Sequence, residues 1–132
     1  MILTPVRLLM SAAALLLALA TGIGAIASHA LEGSLDADAL HAFETAVEYQ
    51  FIHSLGLLAI AMLAERQPSR LLLLAALLLF AGILLFCGGV YASSLDGPRL
   101  IARLAPTGGV ALIGSWALVA VAVLHQTWRK PA

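Results

Sequence analysis

Charged residues cut this sequence into four long apolar runs. Leu8 to Leu31 spans 24 uncharged residues, Tyr49 to Ala64 spans 16, and Leu71 to Leu95 and Leu104 to Trp128 span 25 each. A helix rises about 1.5 Å per residue and a bilayer's hydrocarbon core is about 30 Å thick, so roughly 20 apolar residues cross it. Three runs are long enough alone, and the second becomes so by taking in a turn upstream. The pattern predicts spanning helices at about residues 8–31, 45–64, 71–95 and 104–126.

Upstream of the second run the pattern changes to a helical alternation. Ala39, Leu40, Phe43, Val47 and Phe51 recur at spacings of three and four, with His41, Glu44, Thr45 and Glu48 on the other side. This predicts an amphipathic start at 36–48 running without a break into span two. Gly33 suits the left-handed closure of a helix, and Ser34 or Asp36 can cap the next one. Gln67-Pro68-Ser69 and Asp96-Gly97-Pro98 break the chain, and Pro106 fits the first turn of span four. Short connections make sequential neighbours antiparallel. The expected fold is all-α: a single integral membrane four-helix bundle over residues 1–132, antiparallel and up-down.

Composition reinforces this reading. Hydrophobic residues make up 62% and charged residues 11%, against about 25% charged in soluble domains, which argues against a water-soluble monomer. Zero net charge and the lack of a basic run give no footprint for nucleic acid. The single Cys87 precludes an intramolecular disulfide and a Cys-only metal site. The longest polar connection, Glu32 to Glu48, leaves no room for a separate soluble catalytic domain. The uncharged stretch at the N-terminus exceeds the usual signal-peptide core of about 7 to 15 residues, so it reads as a span. With the N-terminus inside, Arg7, Arg66, Arg70, Arg129 and Lys130 lie on the inner side and only Arg99 and Arg103 on the outer. The positive-inside rule then makes both termini cytoplasmic.

Depth along the helices sorts the polar side chains. Counted from Glu65, His53 lies about 18 Å and Glu48 about 25 Å toward the outer face; counted from Arg7, His29 lies about 33 Å up. Glu48 is either an intramembrane acid turned into the bundle or an interfacial group on a projecting helix. Thr45, Tyr49 and His53 share a face. His53 is either a packing residue or, with Glu48, part of a proton relay. These residues, with His29 and Gln50, are expected to form one hydrogen-bonded cluster between spans one and two, closed by Pro106 to Gly109. A metal held by His29 and His53 is disfavoured by their depth difference of about 15 Å, and no cofactor is expected. Small residues at four-residue spacing, among them Gly24, Gly88, Gly89 and Gly109, suit close helix approach, and Gly108 beside Gly109 is assigned to helix packing with them. Gly108-Gly109 could instead mark an unwound segment. Cys87 reads as inert packing, Trp116 as buried or lipid-facing, and Trp128 as an interfacial anchor.

Three blocks also carry a family resemblance. Gly24-Ala25-Ile26-Ala27-Ser28-His29-Ala30-Leu31, Thr45-Ala46-Val47-Glu48-Tyr49-Gln50 with His53, and Pro106-Thr107-Gly108-Gly109-Val110 resemble the YgdD-like family of small bacterial inner-membrane proteins, a domain of unknown function. The match extends over nearly the whole chain. Ile26, Ala27, Ser28 and Glu48 depart from the family pattern, which places Gln where Glu48 stands. The resemblance implies a four-span protein with mitochondrial relatives and no settled activity.

Two functions compete on this reading. The first is a non-enzymatic accessory or interaction protein of the bacterial inner membrane, surrounded by lipid and joined to a membrane-protein partner or a second copy. The second is a small oligomeric transporter or proton-coupled carrier whose path is lined by Glu48, Tyr49, Gln50 and His53. An enzyme is not expected, because no nucleophile-base pair or metal motif is present.

Overall fold

The computed structural model describes residues 4–129, with side chains placed for residues 4–125. The interfacial role expected of Trp128 lies outside the described side chains. Helix α1, Pro5–Ile26, starts with proline in its first turn and with the Thr4 hydroxyl accepting from Arg7 N. It widens into a π-helical turn, Ala27–Leu31, and closes through Gly33 at φ +92°, a conformation that glycine adopts without steric cost. The Ser34 hydroxyl donates back to the Ala30 carbonyl, so Ser34 finishes the first helix. Asp36 caps the second by accepting from Ala39 N at 2.8 Å.

Helix α2, Ala37–Arg66, is one unbroken rod. At about 1.5 Å per residue its 30 residues measure about 45 Å, well beyond a hydrocarbon core of about 30 Å. Phe43 and Val47 of its amphipathic start are buried, while Glu44 and Glu48 are exposed. Helix α3, Arg70–Ser94, begins at a Ser69 cap. A turn with Asp96 at positive φ and a short helix α4, Arg99–Ala102, lead into α5, Ala105–Arg129. Pattern reading had not separated α4, because four residues give no measurable periodicity. Four helices are long and apolar enough to cross a membrane.

The helices pack in the order α1, α2, α3, α5. Helix α2 lies between α1 and α3, α5 lies along α3, and α1 and α5 scarcely meet. One apolar core runs through all four, with Leu57, Leu72, Leu79 and Ile83 fully enclosed. The outer surface is apolar as well: Leu15, Leu19, Leu84, Val110 and Ile113 face outward. Water would penalise such a surface, whereas lipid accepts it. The ends of α1 and α2 are tied where Arg7 Nε donates to Glu65 Oε1 at 3.0 Å. This pairing puts the start of α1 and the end of α2 at the same end of the bundle.

Close approach rests on particular glycines. A methyl group at Gly108 would strike the backbone of Phe86, and one at Gly89 would come within 2.7 Å of Ala105 N, so α3 and α5 touch main chain to main chain. Gly56 and Gly82 act differently, as notches filled by the Trp116 ring and the Leu112 side chain. Gly24 leaves ordinary contact room against Val47, and Gly109 against the Phe86 ring. Gly88 faces open space within this chain, so it takes no part in the packing expected of it among these four helices.

Candidate functional site

The polar residues singled out from the sequence divide between two sides of α2. Gln50 turns toward α1 and α3 and is buried. Its Nε2 donates to the Leu16 carbonyl at 2.9 Å, and its Oε1 accepts from the Tyr91 hydroxyl at 2.7 Å. A single side chain thereby links three helices with both ends of its amide in use. Tyr91 in turn packs on Phe43, ring centroids 4.8 Å apart. Beside this node lies a cavity of about 190 Å³ whose walls include Leu16, Ile23, Gln50 and Cys87. Cys87 is buried there.

Tyr49 and His53 turn the other way, toward α3 and α5. Their rings stack at 5.3 Å, Tyr49 meets Phe86 at 4.9 Å, and His53 faces Trp116 at 6.3 Å. His53 Nδ1 lies 2.7 Å from the Tyr49 carbonyl oxygen. A carbonyl only accepts, so Nδ1 carries the proton, and in the neutral ring Nε2 is left as an acceptor. These side chains, with Gly109 and Leu112, line a cleft of about 430 Å³ between α2, α3 and α5.

The remaining residues stand apart. His29 is exposed on the π-helical turn, and Thr45 Oγ1 donates to the His41 carbonyl of its own helix. Glu48 is exposed on α2. The single cluster expected between spans one and two is thus not formed. The cause is geometric: Tyr49 and Gln50 are consecutive, and consecutive helical residues point about 100° apart. Gly108 and Gly109 belong to a continuous α5 and are not an unwound segment.

Among the described residues, no three His, Cys, Asp or Glu side chains converge to hold a metal ion. Sequence reading gave no site role to Tyr91, Phe86 or Trp116, which complete the two sides. Their aromatic character and depth were visible, but nothing in the sequence signals a partner some 40 residues away. Ser115 was also missed; it is fully buried and donates to the Ala75 carbonyl at 2.8 Å, joining α5 to α3. Ser54, one turn beyond Gln50 on α2, is fully buried with its hydroxyl unpaired among the described residues.

Comparison with known proteins agrees with this architecture. The family model described as "Protein of unknown function (DUF423)" matches residues 23–109. The chain is similar to the UPF0382 membrane protein YwdK of Bacillus subtilis (strain 168), 35% identical over 107 residues that cover 80% of this chain and 87% of that protein. It is 30% identical to the UPF0382 inner membrane protein YgdD of Escherichia coli (strain K12) over 103 residues, covering 78% of this chain and 79% of that one. The UPF0382 membrane protein SSP2132 of Staphylococcus saprophyticus is 34% identical over 78% of this chain and 85% of its own length. No solved structure matches. Four spanning helices and these similarities together make the chain a multi-pass inner-membrane protein, and it belongs to the DUF423 family, whose activity is unknown.

Proposed function

We propose that this chain is a non-enzymatic accessory protein of the inner membrane, one that binds or steadies another membrane component and moves no solute itself. What supports the reading is how the interior is filled. Between the helices lie fully enclosed Leu57, Leu72 and Leu79, and the buried amide of Gln50 is paired at both ends. Glu48, the acid expected from the sequence to lie deepest along α2, is exposed. A carrier needs polar groups that succeed one another across the bilayer, because an unpartnered ionisable or polar group in hydrocarbon is costly. Here the polar side chains stand on opposite faces of α2, separated by packed apolar ones.

Two measurements on the full chain test this. Crosslinking in native membranes followed by purification is expected to recover a constant membrane-protein partner. Purified protein in proteoliposomes is expected to pass protons and small solutes no faster than empty vesicles do. Saturable flux that disappears in Tyr49→Ala or His53→Ala would replace the accessory reading with the carrier.

A further inference from the structure

The cleft between α2, α3 and α5 has the features of a ligand site, and neither the family nor the accessory reading assigns it one. Its volume of about 430 Å³ is well above the roughly 150 Å³ of an apolar cavity that takes up benzene. Its walls are aromatic on one side and aliphatic on the other: Tyr49 and Trp116 flank His53, Phe86 packs on Tyr49, and Leu112 and Ile113 face them. Trp116 is held in place because its ring fills the notch at Gly56, and Tyr49 is held by stacking on His53 and Phe86. The walls are therefore set before any ligand arrives.

His53 supplies the chemistry. Its Nδ1 is committed to the Tyr49 carbonyl, while Nε2 has no hydrogen-bond partner among the described residues. A lone-pair acceptor in an apolar cleft calls for a donor. Position narrows the donor further. His53 is 13 residues before Arg66, the last residue of α2, hence about 20 Å from that end and about 10 Å beneath the far edge of a hydrocarbon core of about 30 Å. A phospholipid phosphate cannot come to that depth without carrying its charge into hydrocarbon. A flat, uncharged head can, and aromatic walls favour a ring.

We propose that this cleft binds an uncharged lipid whose head is a hydroxylated aromatic ring, a quinol, with one ring hydroxyl donating to His53 Nε2. The ring lies among Tyr49, Phe86 and Trp116. The apolar tail leaves sideways past Ile113, which is 74% exposed beside the cleft. An oxidised quinone has only acceptors to offer, so the site favours the reduced form. The inference is independent of any protein partner.

The test uses the purified full chain in nanodiscs of phosphatidylcholine, with decyl-benzoquinol kept reduced and its dimethyl ether as the probe without donors. Retention above that of empty discs is the measurement. Wild type is expected to retain the quinol saturably, one per chain and about tenfold more tightly than the ether, the worth of one hydrogen bond. His53→Phe keeps the aromatic volume and removes the acceptor, so it is expected to bring the quinol down to the ether's affinity with the helix melting temperature unchanged. Gly109→Leu adds bulk to the cleft wall on α5 and keeps His53 in the sequence, and is expected to weaken both probes, which covers the case of a His53 variant that fails to fold. Equal retention of quinol and ether by wild type, no retention above empty discs, or a preference that survives in His53→Phe would each overturn the proposal. Because no partner is present in this assay, its failure is separate from a failure of the crosslinking result.

Discussion

Gln50 and Tyr91 illustrate how two residues 41 positions apart become partners. Side chains on a helix lean toward its N-terminus. Helices α2 and α3 are antiparallel, so Gln50 leans toward one end of the bundle and Tyr91 toward the other. The two close a gap in height that a count of residues alone leaves open. Interhelical hydrogen bonds in membranes average about 0.6 kcal/mol, with about 1.7 kcal/mol at the upper end. Gln50→Leu and Tyr91→Phe are each expected to destabilise the protein in mixed micelles. The double variant should lose less than the sum of the two, by a coupling of about 0.6 to 1.7 kcal/mol. Strict additivity in that cycle would mean that the hydroxyl does not donate to Oε1. At this scale the sequence identified which polar residues lie deep in the membrane, and Gln50 was among them. It could not assign their directions, since the 100° step between Tyr49 and Gln50 separates residues that look adjacent on paper.

Among the elements, contact between α3 and α5 depends on two glycines whose missing side chains are the point of contact. Gly108→Ala places a methyl group against the Phe86 backbone, and Gly89→Ala places one against Ala105. Neither obstacle is the flexible end of a side chain, so one helix must move. Overpacking of this sort costs about 1 to 3 kcal/mol. Gly88→Ala is the control: it meets nothing within 4 Å and should leave stability unchanged or raise it by up to about 1 kcal/mol through helix propensity. Denaturant titrations of the three variants check this, and equal losses at all three would refute close backbone approach as the cause. Small-residue spacing made Gly89 and Gly109 legible in the sequence, but of the Gly108-Gly109 pair it is Gly108 that makes the close contact. That spacing missed Gly56 and Gly82 because their partners are large side chains entering a hole, a fit that depends on Trp116 and Leu112 of a distant helix and leaves no local pattern. The helices themselves were readable because apolar length and turn chemistry are local. The length of α2 was readable too, from the alternation that continues unbroken from Ala39 to Phe51.

For the molecule as a whole, the ion pair of Arg7 with Glu65 fixes which helix ends share a side, and the positive-inside rule predicts which side faces the cytoplasm. Among the described residues, Arg7, Arg66, Arg70 and Arg129 fall at one end and Arg99 and Arg103 at the other. Reporter fusions at either terminus are expected to read cytoplasmic, and an insertion beside Gly33 is expected to read external. An external C-terminus would defeat this orientation. The serial packing of the helices bears on how such a protein is made. Each long helix packs against the long helix synthesised just before it: α2 settles on α1, α3 on α2, and α5 on α3. Most of each span's packing face is covered once the next span has entered, while the Gly56 notch and the His53 side of α2 wait for Trp116 of α5. Biogenesis can therefore proceed as an ordered series of hairpin closures, with the Gln50 bridge sealed as soon as the third span has entered the membrane.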